Sequence, residues 1–210
     1  FDVVVAGLAL VVLSPALLII ALIIFLDDPH GSPIYVSKRM GKNGRIFDFY
    51  KFRSMCVNAE DQLGELMDLN EADGPAFKIK DDPRITRFGR FIRKTSIDEL
   101  PQLFNILRGE MSFVGPRPLI PEEEEIRSLR EASGVYRMRP GVTGLAQVNG
   151  RDLLTAEQKV AYDAYYVEHH TLFMDIRILF QTIAAVLTGK GFAEGGELQH
   201  HGEQGEDDSE

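Results

Sequence analysis

The chain has no tryptophan and only one cysteine, Cys56, among its 210 residues. One thiol builds neither an internal disulfide framework nor a multi-cysteine zinc site, and a reducing compartment fits that usage. A lone thiol of this kind is expected to behave as a small buried hydrophobe. The five histidines show no zinc spacing: His169-His170 reads as a surface pair at a helix end, and His200-His201 falls near the C-terminus. Neither a P-loop lysine motif nor a GxGxxG stretch is present, so the common glycine-rich phosphate cradles are excluded. Positive charge is also scarce, 23 Lys and Arg against 32 Asp and Glu, a net charge of −9. That deficit is local. Residues 193–210 hold seven acids and no Lys or Arg, leaving −2 for the remainder. The same segment has four glycines and little apolar content, so a disordered acidic tail is expected. The overall pI therefore says nothing about a working surface.

What the chain does have begins with apolar residues. Residues 3–26 carry no charge, and at about 1.5 Å per residue they are long enough for a bilayer core of about 30 Å. The absence of a small-residue cleavage site argues against a signal peptide. Ser14-Pro15 interrupts the run. Proline removes one helix hydrogen bond and bends the axis, and the Ser14 hydroxyl is a candidate partner for the freed carbonyl. Length and periodicity favour a kinked spanning helix; a re-entrant helix that returns to its own side is the alternative. Lys38, Arg39, Lys42, Arg45, Lys51 and Arg53 follow, and the positive-inside tendency puts the globular part in the cytoplasm. Because the chain opens at Phe1 within apolar sequence, a longer parent protein is expected.

The rest is expected to be a single unit of about residues 31–192. Residues 33–37 and 45–52 read as strands around the turn signal Gly41-Lys42-Asn43-Gly44, a hairpin. Residues 57–69 have amphipathic helix spacing, and 73–82 reads as a loop. Residues 85–94 place Arg84, Arg87, Arg90, Arg93 and Lys94 opposite Ile85, Phe88, Phe91 and Ile92. Such a helix suits an anionic membrane surface or a phosphate site, or is simply a surface helix of the core. Further helices are expected at 97–107, from Pro121 to residue 130, at 155–168 and at 172–187, with a glycine-rich loop at 139–150.

Residues that bear chemistry concentrate at 95–118. Ser96 and Glu99 fit a capping box, a structural role for Glu99. Asp98 then falls at N2, where the helix dipole would keep it ionised and competent as a nucleophile or metal ligand. Pro116-Arg117-Pro118 holds a guanidinium on stiff backbone, suited to bidentate phosphate contact or, alternatively, a rigid turn with a solvated arginine. Arg93 is a second positive candidate, unless it belongs to the membrane-facing stripe. Asp98 and Glu99 together with phosphate oxygens suit a hard ion such as Mg²⁺.

YKFRSM (50–55), DPRITRFGRFIRKTSIDELPQLFNILRGEMSFVGPRP (82–118), RPGVTGLAQVNGR (139–151) and DIRILFQTIAAVLTGKGF (175–192) strongly resemble the bacterial sugar transferases, the monotopic phosphoglycosyl transferases that initiate polysaccharide assembly. The resemblance covers residues 1 to about 192. It implies a helix-rich α+β fold with an N-terminal re-entrant membrane helix-break-helix (residues 1–30), a small β-hairpin and amphipathic interfacial helices. Ser14 and Pro15 match the helix break, which reverses the preference for a spanning helix. It also implies transfer of a sugar 1-phosphate from a UDP-sugar to undecaprenyl phosphate, with release of UMP. Asp98 matches the nucleophile that forms an aspartyl-phosphosugar and is assigned as a metal ligand. Glu99 completes the catalytic dyad, and Mg²⁺ is the cofactor. Arg117 and Arg93, with Lys51, are assigned to substrate phosphates. Expected partners are the two substrates and membrane lipid, without nucleic acid; a homodimer is compatible with them. The location is the bacterial inner membrane, catalytic domain on the cytoplasmic face. The chain departs from the pattern in lacking basic residues before the membrane helix and in its acidic tail. The alternatives are a membrane-bound nucleotide-sugar hydrolase and a non-catalytic scaffold of an assembly complex.

Overall fold

A computed structural model of the chain describes residues 1–62, 64, 82–150 and 153–188. Most of the expected helix at 57–69, nearly all of the loop at 73–82 and the tail at 193–210 lie outside the described residues. The described residues are helix-rich with two small sheets.

The uncharged run forms α1, Asp2–Asp27, with Pro15 inside it. By length and composition it is able to cross a membrane. An amide at position 15 would have bonded the Val11 carbonyl; proline has none, and the Ser14 hydroxyl donates to that carbonyl instead, at 2.8 Å. One flank of α1 packs on the rest of the protein from end to end. Ala6, Ala9, Leu10 and Leu13 meet Phe47, Leu103 and Ile106; Leu17, Ile20, Ala21 and Ile24 meet Phe52 and Ile92. The other flank leaves Val4, Leu8, Val11, Val12, Leu18 and Leu22 more than half exposed. An apolar helix with only one flank covered leaves its other flank for an apolar medium.

β1 (Ile34–Met40) and β2 (Ile46–Phe52) form the expected antiparallel hairpin. Its turn places Asn43 and Gly44 at positive φ, 56° and 70°, a conformation that asparagine and glycine tolerate best. The register opposes Arg39 to Phe47, Ser37 to Phe49 and Tyr35 to Lys51, so these six share one face.

α2, Arg87–Lys94, is capped by Thr86, whose hydroxyl accepts from the Gly89 amide at 2.9 Å. Gly89 sits so close to the end of the hairpin that a Cβ there would lie 2.0 Å from the Ser54 carbonyl oxygen. Ile92 is fully buried and Phe91 is exposed. Arg84 does not join the basic face as expected. It is buried, and a bidentate pair with Asp82 (Nε to Oδ1 2.9 Å, Nη2 to Oδ2 2.6 Å) holds it.

The helix expected at 97–107 is split. Residues Ile97–Glu99 form a single 3₁₀ turn, and α3 runs only from Gln102 to Leu107. The cause is Pro101. An α-helix through this segment would need an amide at 101 to bond the Ile97 carbonyl; the Leu100 amide takes that carbonyl at 3.1 Å instead. Ser96 does not cap. It lies at φ 55° without a side-chain cap bond, and its amide bonds back to the Arg93 carbonyl, so it closes α2 in the left-handed manner of a helix C-terminus.

β3 (Ser112–Val114) pairs in parallel with β4 (Gly141–Thr143), and β4 falls within the 139–150 stretch expected to be a loop. The strands run through glycines: a Cβ on Gly141 would lie 2.1 Å from the Gly115 amide nitrogen. The helix expected to begin at Pro121 is α4, Glu124–Ala132. α5 (Leu145–Val148) is one turn. α6 (Ala156–His169) begins with a full capping box of Thr155 and Gln158. α7 is Leu172–Thr188. His169 and His170 are exposed at the end of α6, as expected, while Cys56 is half-buried rather than buried.

Candidate active site

Three elements converge on one cleft. The end of β2 brings Lys51, the 3₁₀ turn brings Asp98 and Glu99, and the backbone after β3 brings Arg117. Asn105 locks β2 to α3. Fully buried, it accepts from the Tyr50 amide at 3.2 Å and donates to the Asp48 carbonyl at 2.6 Å and to Glu110 at 2.7 Å. That places the neighbour of Tyr50, Lys51, against the two acids.

Glu99 is the polar hub. Its Oε1 accepts from Lys51 Nζ at 3.0 Å and lies 3.4 and 3.5 Å from the two terminal nitrogens of Arg117. Glu99 is thus occupied by cations rather than by the backbone amide a capping box would require. Asp98 is 8% exposed. Its nearest ion partner is Lys51, at 3.9 Å, and its carboxylate accepts no hydrogen bond from a described residue. One ammonium therefore stands within 4 Å of both carboxylates.

The expectation that a helix dipole keeps Asp98 ionised is not met, since no α-helix begins there. Burial pushes its carboxyl above the ordinary range; Lys51 opposes this, the Glu99 charge adds to it, and Arg93 and Arg117 oppose it. Arg93 bears on Asp98 through its charge without an ion pair to either acid. Arg117 is two-fifths exposed along its side chain and so faces both Glu99 and solvent. Ser14 and Pro15 lie in α1, away from the cleft.

Two groups escaped the sequence reading. Arg130 and Asp163 are both buried, joined at 2.5 Å from Nη2 to Oδ2. Arg130 Nη1 donates to the Arg117 carbonyl at 2.7 Å, tying α4 and α6 to the Pro-Arg-Pro backbone. No local signal marks a pair 33 positions apart. Arg39 is the second. It shares the Lys51 face of the hairpin, and its guanidinium and the Lys51 ammonium each lie 5.5 Å from the centroid of the Phe49 ring. Its Nε is buried without a partner among the described residues. Burial, then the like charge of Arg117, lowers its pKa. Strand alternation alone would not have found it, because the face it shares with Lys51 follows from the hairpin register.

The described residues contain no group of three or more His, Cys, Asp or Glu arranged for a metal. Two adjacent carboxylates, one of them without a hydrogen bond from a described residue, remain a fit for Mg²⁺, which binds through one or two carboxylates plus substrate phosphates. Taken together, the cleft offers a loosely held carboxylate facing several cations, an arrangement that can attack and neutralise a phosphate.

The sequence profile of the family described as bacterial sugar transferase matches residues 1–189, and the chain belongs to that family. It is 44% identical over 196 residues to the undecaprenyl-phosphate galactose phosphotransferase of Salmonella typhimurium, covering 91% of this chain and 40% of that protein. It is 45% identical over 197 residues to the exopolysaccharide production protein ExoY of Sinorhizobium fredii, covering 91% and 85%. With the undecaprenyl-phosphate glucose phosphotransferase of Komagataeibacter xylinus the identity is 40% over 193 residues, covering 87% and 34%. The chain thus spans about two fifths of the Salmonella relative's length and a third of the Komagataeibacter one's.

Proposed function

We propose that the chain transfers a sugar 1-phosphate from a UDP-sugar to undecaprenyl phosphate, releasing UMP, as the first membrane step of polysaccharide or glycoconjugate synthesis. The observation that carries this reading is Asp98: a buried carboxylate with no hydrogen-bond donor among the described residues, beside Lys51 and framed by Glu99 and Arg117. An Asp98 oxygen attacks the sugar-bearing phosphorus of the donor. The bond from that phosphorus to the bridging oxygen breaks, and UMP leaves with the electron pair. An oxygen of undecaprenyl phosphate then attacks the same phosphorus, and the Asp98 carboxylate is released. Splitting the transfer lets one site serve two substrates in turn.

Lys51 orients both carboxylates, and Arg117, paired with Glu99 and two-fifths exposed along its side chain, is suited to bind phosphate oxygens. The Pro-flanked backbone and Arg130 keep that guanidinium in place. Arg93 and Arg39 add positive charge, which offsets the repulsion between a carboxylate and a diphosphate. Asp98, with Glu99 beside it, would hold Mg²⁺; bound there, the ion supplies charge neutralisation at the phosphates. The names of the relatives, which include both galactose and glucose transferases, support the reaction class and leave the sugar open.

The same reading seats α1 in the bacterial inner membrane as a re-entrant helix broken at Ser14-Pro15, with the domain on the cytoplasmic face. Contact between the domain and both halves of α1 supports it, because a helix crossing the bilayer would carry one half away from a domain on one side. In sealed vesicles, single cysteines at positions 2 and 28 of a Cys56→Ser chain are then labelled from the same side. Labelling from opposite sides makes the helix a spanning one.

The test of the chemistry is incubation with Mg²⁺, undecaprenyl phosphate and a panel of UDP-sugars, with UMP assayed and quenched protein examined by mass spectrometry. The expected result is UMP release that needs the acceptor for many turnovers, and a phosphosugar mass on Asp98. Sustained UMP release without acceptor makes the protein a hydrolase instead.

A further inference from the structure

A cavity of about 240 Å³ opens beside the catalytic turn, with Ser96 and Glu99 at its rim. Its walls are Leu100, Leu103, Phe113, Val142, Leu179 and Val186. Small-molecule sites are commonly about 300–1,000 Å³, so this one holds part of a ligand rather than a whole nucleotide sugar.

The few polar groups in it face each other. The Thr182 hydroxyl donates to the Ile178 carbonyl at 2.8 Å; its contact with the Thr143 hydroxyl, at 2.7 Å, therefore has Thr143 as donor. Gln147 turns its amide nitrogen to the Val142 carbonyl at 2.9 Å. A site that reads a nucleobase keeps donors and acceptors aimed inward; along these walls the Gln147 carbonyl oxygen is the one fully buried polar atom without a partner among the described residues. Among the described residues no Lys or Arg lines the cavity, so its described walls do not hold a phosphate.

The cavity also adjoins the apolar exterior. α7 lines it with Leu179, Thr182, Ala185 and Val186, and on its outer flank exposes Phe173, Ile176, Phe180, Ile183 and Leu187. These outer residues recur at intervals of three and four, one continuous helical stripe. α3 contributes Leu103 to the cavity while Phe104 and Leu107 stand outside it, 49% and 42% exposed. Leu103 in turn packs on α1. An apolar cavity thus runs from Glu99 to α3 and α7, which each present apolar side chains outward, with α1 packed behind Leu103.

We propose that this cavity receives the headgroup-proximal isoprene units of the polyprenyl phosphate acceptor, setting the acceptor phosphate at the rim by Glu99 while the remaining chain stays in lipid. The proposal rests on the transfer reading above and adds which surface distinguishes the acceptor from the donor. The alternative occupant, the uracil base of the donor, is an outcome of the test.

Ala185→Phe narrows the cavity without touching the acids. With the full chain in nanodiscs, the expected result is a rise of at least ten-fold in KM for undecaprenyl phosphate, with KM for the UDP-sugar within two-fold of the parent. An unchanged acceptor KM, or an equal rise for both substrates, overturns the proposal. A second readout needs no turnover. The chain has no tryptophan, so Phe113→Trp places a lone indole in the cavity wall. Its emission is expected to shift saturably with undecaprenyl phosphate and to stay constant with UDP; a response to UDP alone overturns the proposal and assigns the cavity to the nucleobase. A parent chain with no transfer activity refutes the transfer reading, while the indole titration still decides what the cavity binds.

Discussion

Asp98 and Asp163 are both buried, both lifted above the usual carboxylate range by burial, and both set near arginines. Asp163 is 1% exposed and sits 2.5 Å from Arg130, committed to one partner. Asp98 is 8% exposed, with its nearest cation, Lys51, at 3.9 Å, and that cation prefers Glu99. A charge closed by its partner holds elements together. A charge left loose, with cations arranged around it, is ready for a substrate. The two also connect, since Arg130 holds the carbonyl of Arg117, which in turn faces Glu99.

The largest effect separates them by function. Asp98→Asn is expected to lower transfer by about 10³-fold or more, with an unfolding temperature equal to or above the parent's, because it removes a buried charge and no hydrogen bond from a described residue. An active Asp98→Asn chain erases the contrast. Asp163→Asn should do the reverse. It strands Arg130 in the interior at a cost of about 3–5 kcal/mol, read as a large fall in thermal stability. Replacing both members, Arg130→Met with Asp163→Leu, should recover much of that loss, and a double variant no more stable than Asp163→Asn would show that the pair does more than neutralise charge.

Arg117→Lys keeps the charge and removes the fork. A loss of about ten-fold or more in kcat/KM is expected, with stability nearly unchanged, since the side chain is two-fifths exposed. Unchanged kcat/KM removes Arg117 from the phosphate site. Gly89→Ala tests the seating of α2 behind the acids: its Cβ would meet the Ser54 carbonyl oxygen at 2.0 Å, so a stability loss of about 1–3 kcal/mol is expected. The smallest effect concerns Asp82. The hydrogen-bonded Arg84 guanidinium holds its carboxyl below the usual carboxylate range. Its stabilisation is therefore complete above the unfolded value near pH 4 and is lost only as pH falls through the lower folded value. Asp82→Asn should flatten the parent's acid-side decline in unfolding temperature below about pH 4.

The candidate catalytic stretch was legible because its parts are local. Asp98, Glu99 and the proline-flanked Arg117 lie within 20 residues, and the hairpin announced itself through Asn43-Gly44. Lys51 was legible by resemblance to the family and Arg39 only as one of a run of basic residues. Their common face, and the Phe49 ring both approach, depend on strand register. The capping box was misread from a correct local pattern. Ser96 and Glu99 have the right spacing, yet α2 ends only two residues earlier, and Pro101 denies the α-helix its amide.

By itself, then, the sequence determined the uncharged helix with its Ser14-bridged proline gap, the hairpin, the adjacency of the two acids and the family, because each is written in neighbouring residues or in spacing. Tertiary structure alone decided that Asp98 is loose while Asp163 is closed, that Arg130 steadies Arg117 across distant helices, and that an apolar cavity meets the acids. Those are matters of distance between segments far apart in the chain, and a partner's distance is what turns a buried charge into a brace or a reactive group.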